Sequence, residues 1–170
     1  MIPQIKQIRK ILYATDLTKN SVYAFPYATD LARSHDARIV ILHAIEPIPS
    51  YAEFEARITE EDKRKHQETA VEEIKKRLQW FCKKAEDQIG PPCAELVSKI
   101  LVPRGHPPEE ILNAANEEDC DVIVLGTHGK GFLAHTFLGS VSSAVLQRTR
   151  KPVFVIPLSS EKPTIDWDGI

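Results

Sequence analysis

The chain has 170 residues, 42% of them hydrophobic and 27% charged, with a net charge of −2. That balance excludes an intrinsically disordered segment, and the near-neutral charge leaves no electrostatic footprint for wrapping nucleic acid or coating an anionic membrane. No apolar run approaches a bilayer span, and Asp16 ends the opening apolar run too early for a secretory signal.

The elements follow in chain order. "RKILYAT", Arg9 to Thr15, is a short apolar strand that ends at an acid. "NSVYAFPYATDLARSH" carries Ala24, Phe25, Ala28, Leu31 and Ala32 at helical spacing, and Pro26 predicts a kink or a delayed start. "ARIVILHAI", Ala37 to Ile45, is almost wholly apolar, as a central strand covered on both faces would be. A polar, charge-rich stretch from Pro47 to about Thr69 separates the second strand from its helix. Beyond it Val71, Ile74, Leu78, Phe81, Ala85 and Ile89 mark a helix that "GPP" stops. "AELVSKILVP" alternates, with Leu96, Ile100 and Val102 on one side and Glu95 and Lys99 on the other, which predicts an edge strand with one wet face. "HPPEEILNAANEE" opens with prolines and acids suited to a helix N-terminus. "DVIVLG", a glycine-rich loop, the helical "GSVSSAVLQRTRK" and a last strand, "KPVFVIPL", complete a domain over residues 1–158, and a tail over 159–170 follows.

Alternating strands and helices imply right-handed crossovers and a doubly wound parallel sheet with helices on both faces. Ligands of such sheets bind beyond the carboxyl ends of the strands. Asp16 lies just after the first strand, His43 and Ala44 end the second, Arg104 to His106 follow the third, and the glycine loop follows the fourth.

Glycines in that loop let backbone amides approach a ligand and adopt positive φ where needed. Gly139 and Ser140 open a helix whose free amides and dipole suit an anion. The hydroxyls of Ser140, Ser142 and Ser143, and the charge of Lys130, suit phosphate oxygens; a plain connection is the alternative. A P-loop would need glycine at position 124 and Ser or Thr after Lys130, where the chain has Val124 and Gly131. "GKGFLA", Gly129 to Ala134, fits a loose dinucleotide fingerprint but lies at the wrong end of the chain.

The spacing Gly126-x2-Gly129-x9-Gly139-Ser140 resembles the nucleotide-binding signature of the universal stress protein family, in its ATP-binding subgroup. "KILYATDLT", "VILHAIE", "VIVLGTHGKG" and "LGSVSSAVLQRTRKPVFVIP" extend the resemblance across nearly the whole domain. The resemblance implies a Rossmann-like five-stranded parallel sheet in the order 3-2-1-4-5. It also implies a protein that binds ATP, ADP or AMP, with any Mg²⁺ carried by the phosphates, and serves as a cytoplasmic sensor in the stress response. By the same resemblance Asp16 bonds a ribose hydroxyl, and Ala14 and Ala44 line an adenine slot. Leu125, Gly126 and Thr127 hold the next stretch of ligand, while Gly129, Gly139, Ser140, Val141 and Ser142 bind phosphates.

Other readings stand beside these. A slow ATP-hydrolysing or nucleotidyl-transferring enzyme is the alternative function, although no motif supplies a P-loop lysine, a water-activating acid or an arginine for the γ-phosphate. A scaffold without nucleotide is a third. Asp16 is a ribose contact or a helix cap; His43 is a satisfied core histidine; His128 positions the loop; His106 starts a helix. Arg148, Arg150 and Lys151 answer a helix dipole. Cys82, Cys93 and Cys120 are odd in number, lack metal-type spacing and read as reduced thiols. The last strand, Pro152 to Leu158, leaves neither face polar, so a two-fold partner strand from a second copy is expected to cover it, or else the tail with Trp167 does.

Overall fold

The computed structural model describes residues 6–18, 21, 23–47, 49, 59–89, 93–127 and 138–157. Among them run β1 (Lys10–Ala14), α1 (Phe25–His35), β2 (Arg38–Leu42), α2 (Glu60–Ile89), α3 (Cys93–Leu96), β3 (Val97–Leu101), α4 (Pro107–Glu117), β4 (Val122–Gly126), α5 (Ser140–Arg148) and β5 (Val153–Ile156). All five strands are parallel, in the order β3-β2-β1-β4-β5. This is the doubly wound α/β sheet expected.

The period of two in the strands sorts the core into two layers. Ile11 and Tyr13 of β1, Ile39 and Ile41 of β2, and Val122 and Val124 of β4 face Phe25, Ala28 and Ala32 of α1 and Leu78 and Cys82 of α2. Leu12, Val40, Leu42, Ile123 and Leu125 face the other way, onto Ile111, Ala114 and Ala115 of α4 and Val145 of α5. Phe25 is fully buried, its ring 5.1 Å from that of Tyr13 and tilted by 53°, so it anchors the start of α1 to the central strand.

Several boundaries differ from the sequence-based expectations. Pro26 delays α1 rather than kinking it: the helix begins at Phe25 with Pro at its first turn, where the missing N–H costs nothing. Much of the charge-rich stretch is not a connection, since α2 already begins at Glu60. Thr59 and Asp62 form a capping box there, with Thr59 N donating to Asp62 Oδ2 at 3.2 Å and Asp62 N donating to Thr59 Oγ1 at 3.1 Å. Pairs Glu60–Lys63, Glu61–Lys65 and Arg64–Glu68 then support the first turns in place of an apolar face. The third strand starts later than read, at Val97, because Cys93–Leu96 forms a helical turn. A bulge opposite Ile39 and Val40 inserts Ser98, so Ser98 and Lys99 are both exposed and the simple alternation breaks. The last strand is Val153–Ile156, shorter than Pro152–Leu158; Leu158 and the tail 159–170 lie outside the described residues.

Candidate functional site

The five strands do not stay paired to the same height at their exits. β1 remains bonded to β2 through Ala14↔Leu42 and on to Thr15 N, which donates to Leu42 O at 2.9 Å. β4 remains bonded to β5 through Gly126↔Ile156 and on to Thr127 N, which donates to Ile156 O at 2.9 Å. Between them, the β1–β4 ladder ends earlier, at Tyr13↔Val124. The strand order reverses at this junction, the position beside which the topology of α/β sheets places ligands.

Small and apolar residues gather beside it. Ala14 and Leu125, each one residue past the last β1–β4 pair, are buried in the cluster under α4 and α5, and Ala44 and Val141 pack against that cluster. Four of the expected site residues, from four separate segments, are thereby brought together. Ala44 follows β2 in a backbone weave that includes β3's exit: His43 N donates to Leu101 O (3.0 Å), Ile45 N to Pro103 O (2.8 Å) and Gly105 N to Ile45 O (2.9 Å).

The glycine-rich side is built by α5. Gly139 is its N-cap at φ −68° and ψ 165°, extended backbone open to any residue, so positive φ is not why glycine stands there. Its N–H donates to Thr127 O at 2.7 Å and its carbonyl accepts from Ser143 N at 2.9 Å, which starts the helical ladder. The amides of Ser140, Val141 and Ser142 precede that first bond and have no helical carbonyl to meet. With the dipole behind them they form an anion-seeking end. Ser142 departs from its expected part: its side chain is buried, and its hydroxyl donates to Gly126 O at 2.8 Å, with Thr127 O at 3.3 Å. It fastens the loop to the helix rather than offering a hydroxyl to phosphate, so only its amide remains for that purpose. Ser140 is exposed. Gly129, with His128 and Lys130, lies outside the described residues.

Asp16 stands at the mouth of β1, half-buried. Its Oδ1 accepts from Thr18 N at 3.0 Å and from Thr18 Oγ1 at 2.6 Å, a local turn in which Leu17 adopts φ 64°. Such a φ is uncommon for a bulky residue and concentrates at functional sites. Asp16 does not cap α1, whose N-cap is Ala24 without a side-chain bond. His43 is buried and bonded as a core histidine is expected to be, its Nδ1 2.9 Å from Thr15 O.

The remaining candidates serve the scaffold. His106 is the N-cap residue of α4, and its Nδ1 meets Glu109 Oε2, whose carboxylate is also bound by Arg148. Arg148, and secondarily His106, pull the Glu109 carboxyl down to about 2. Arg148 thus ties α5 to α4 as well as standing at a helix C-terminus, and Lys151 donates to Cys120 O at 2.6 Å. Cys82 and Cys120 are free and buried, and burial pushes the Cys120 thiol up to about 11. Among the described residues no three His, Cys, Asp or Glu are grouped to hold a metal, and no helix is long and apolar enough to cross a membrane.

Sequence reasoning missed Thr15 and Ser21 as residues that shape the turn at Asp16. Their hydroxyls carry no motif, and only "TDLT" after a strand hinted at a polar turn.

Comparison with known proteins gives a consistent answer. The model of the universal stress protein family matches residues 7–157. A universal stress protein of Thermus aquaticus is 32% identical over 155 residues, which cover 87% of this chain and 98% of that one. Universal stress protein MJ0577 of Methanocaldococcus jannaschii is 28% identical over 152 residues, covering 87% and 94%. The solved structure of MJ0577 superposes with a TM-score of 0.72 at 27% identity, over 92% of this chain and all of that one. A universal stress protein solved in complex with cAMP superposes at 0.58 and 21% identity, over 91% of this chain and 100% of the other. With the family match spanning every strand of the sheet, the chain belongs to the universal stress protein family.

Proposed function

We propose that the chain binds an adenine nucleotide, ATP or its relatives ADP and AMP, at the junction between β1 and β4, and reports nucleotide state in a cytoplasmic stress response. The observation that carries this reading is the early end of the β1–β4 ladder, with Ala14, Ala44, Leu125 and Val141 gathered on one side. In this reading the base lies against Ala14 and Ala44, and the ribose hydroxyls meet Asp16. Leu125, Gly126 and Thr127 support the middle of the ligand. The phosphates meet the amides of Ser140, Val141 and Ser142 together with Gly129 and Gly139. A Mg²⁺ ion would be carried by the phosphates. The cAMP complex of a protein with this fold points to the same class of ligand.

Calorimetry with ATP, adenosine and tripolyphosphate tests it. Gly139→Val should fold normally, since Gly139's φ of −68° suits any residue, while its side chain blocks phosphate approach. We expect ATP to weaken by about tenfold, one hydrogen bond or slightly more, and adenosine to be unchanged. Equal ATP affinity in wild type and Gly139→Val would remove the phosphates from the start of α5.

The same reading includes a homodimer. β3, one edge of the sheet, exposes Ser98 and Lys99; β5, the other, exposes Phe154 at 45% with Val153 and Val155 half-covered. An apolar edge calls for a cover, and an antiparallel β5–β5 pairing over residues 152–158 provides one with two-fold symmetry. Sedimentation should give a dimer that Val155→Lys dissociates or aggregates; a wild-type monomer at micromolar concentration would shift the cover to another segment.

A further inference from the structure

Between β1 and α1 a series of hydrogen bonds runs from residue to residue, with Thr15 and Thr18 each using both a backbone carbonyl and a hydroxyl to pass it on. His43 Nδ1 lies 2.9 Å from Thr15 O, and because a carbonyl only accepts, Nδ1 carries the proton. Thr15 is thereby held from β2, on which His43 follows directly. The Thr15 hydroxyl is 2.8 Å from Ser21 Oγ, and Ser21 Oγ donates its single proton to Thr18 O at 3.0 Å. The Thr15 hydroxyl must therefore be the donor to Ser21. Thr15 Oγ1 in turn accepts Leu17 N at 3.1 Å, which stabilises the left-handed turn at Leu17. Thr18 Oγ1 ends the series on Asp16 Oδ1 at 2.6 Å, and Thr18 N adds a second bond to the same oxygen. Tyr13 OH donates to Ser21 O at 2.9 Å and fixes the far side of the loop.

Thr15, Ser21 and His43 are all buried, with exposures of 7%, 4% and 6%. A buried polar series whose donors and acceptors match in this way is rigid, because leaving any member unpaired costs the full desolvation of that group. The one carboxylate in the series is its terminus, Asp16.

We propose that His43 is a positioning residue for nucleoside recognition: through Thr15, Ser21 and Thr18 it fixes the loop that holds the Asp16 carboxylate at the mouth of β1. This rests on the reading of Asp16 as the ribose contact. A carboxylate on an exposed loop would lose conformational freedom on meeting the two ribose hydroxyls; one already clamped by its neighbours does not.

The test begins on the ligand-free chain of 170 residues. Asn places an amide N–H near the position of imidazole Nδ1 and keeps the donor to Thr15 O, whereas Leu fills a similar volume and removes it. Amide hydrogen exchange at Leu17 and Thr18 should quicken in His43→Leu by about tenfold, the equivalent of one hydrogen bond. Strand amides such as those of Ile41 and Val124 should not change. His43→Asn should exchange like wild type. Where His43→Leu loosens the strands as well, Ser21→Ala cuts the same series further along, and selective quickening at Leu17 and Thr18 in that variant supports the proposal. Unchanged exchange there in Ser21→Ala, or His43→Asn behaving like His43→Leu, overturns it. Adenosine and tripolyphosphate titrations then follow. Adenosine should weaken by about tenfold in His43→Leu and recover in His43→Asn, with tripolyphosphate indifferent to both. Loss of both ligands to the same degree would make His43 a general stability residue and overturn the proposal. A wild-type protein that binds no adenosine would defeat the nucleotide reading alone, since the exchange experiment reads the clamp without ligand.

Discussion

At the strand entrances a carboxylate ties two neighbouring strands together, whereas at the exit of β1 a carboxylate bonds within its own turn. Asp121, immediately before β4, accepts Arg9 N at 2.9 Å and Lys10 N at 3.1 Å on one oxygen and Lys6 Nζ at 2.6 Å on the other. Lys10 Nζ donates to Glu118 O at 2.7 Å. Lys6, Gln7, Arg9, Lys10, Asp119 and Asp121 line a hollow here, but its main acid is already engaged in closing the start of β1 onto β4. Asp16, two residues after β1, sits instead where the ladder between the same two strands has ended. The two acids look alike in sequence, each beside a short apolar strand. Position along the strand separates them: Asp121, before its strand, fastens the backbone of a neighbouring strand, and Asp16, after its strand, stands at the end where α/β sheets take their ligands.

The largest effect should come from breaking the entrance. Asp121→Ala strands two backbone amides and should lower stability by about 2 to 3 kcal/mol, read as a fall in the urea midpoint. Adenine-nucleotide affinity should be unchanged. Burial raises the Asp121 carboxyl, yet Lys6 and the amides of Arg9 and Lys10 outweigh it and hold the group below its ordinary 3.8. A depressed folded value means the stabilisation is full above 3.8 and is lost as pH falls through the lower, folded value. Wild type and Asp121→Ala should therefore converge in stability on acidification, and a gap that persists in strong acid would contradict the clamp.

The exit is broken by Asp16→Ala. Adenosine and ATP should both weaken by about 1 to 3 kcal/mol as charge-assisted bonds to hydroxyls are lost. Tripolyphosphate should bind equally well or more tightly, and stability should fall less than in Asp121→Ala. Adenosine affinity indifferent to the substitution would confine Asp16 to its turn with Thr18.

The smallest effect belongs to Glu109, an acid near an exit that is nevertheless exposed and paired with Arg148 and His106. Its carboxyl is drawn down to about 2 from 4.5, so its contribution is present above 4.5 and fades as pH falls toward 2. Solvent screens exposed pairs, and Glu109→Gln should cause only a slight drop in Tm that about 1 M salt abolishes. A drop as large as that of Asp121→Ala would mean that exposure is a poor guide to the value of these pairs.

The sheet was legible because β1, β2 and β4 are short apolar runs separated by helical periods, and the closing strand is apolar too. The start of α2 was not, because its first turns hold no apolar face; the signals were a capping box, Thr59 to Asp62, and charges of opposite sign three and four residues apart. The bulge at Ser98 was hidden because an extra residue leaves no compositional mark. At the site, residues beside strand ends could be placed from sequence alone. The hydrogen-bond series could not, since His43 and Thr15 are 28 residues apart and meet only through strand pairing. Ser142 misled for a related reason: a serine in the first turn of a helix serves an anion or its own loop, and only packing chooses.

The length of α2 has a mechanical consequence. Thirty helical residues extend about 45 Å, against about 17 Å for the strands they cover. The buried side chains described on it, Leu78 and Cys82, lie in its second half. Its first three turns are held by a cap and by surface charge pairs, and the charge pairs weaken with salt. These turns can unwind as a separate unit while the sheet stays folded. Trypsin acting on the native chain should therefore cut first at Lys63, Arg64 or Lys65, sooner in high salt, and leave behind a fragment that still carries β3, β4, β5 and the start of α5.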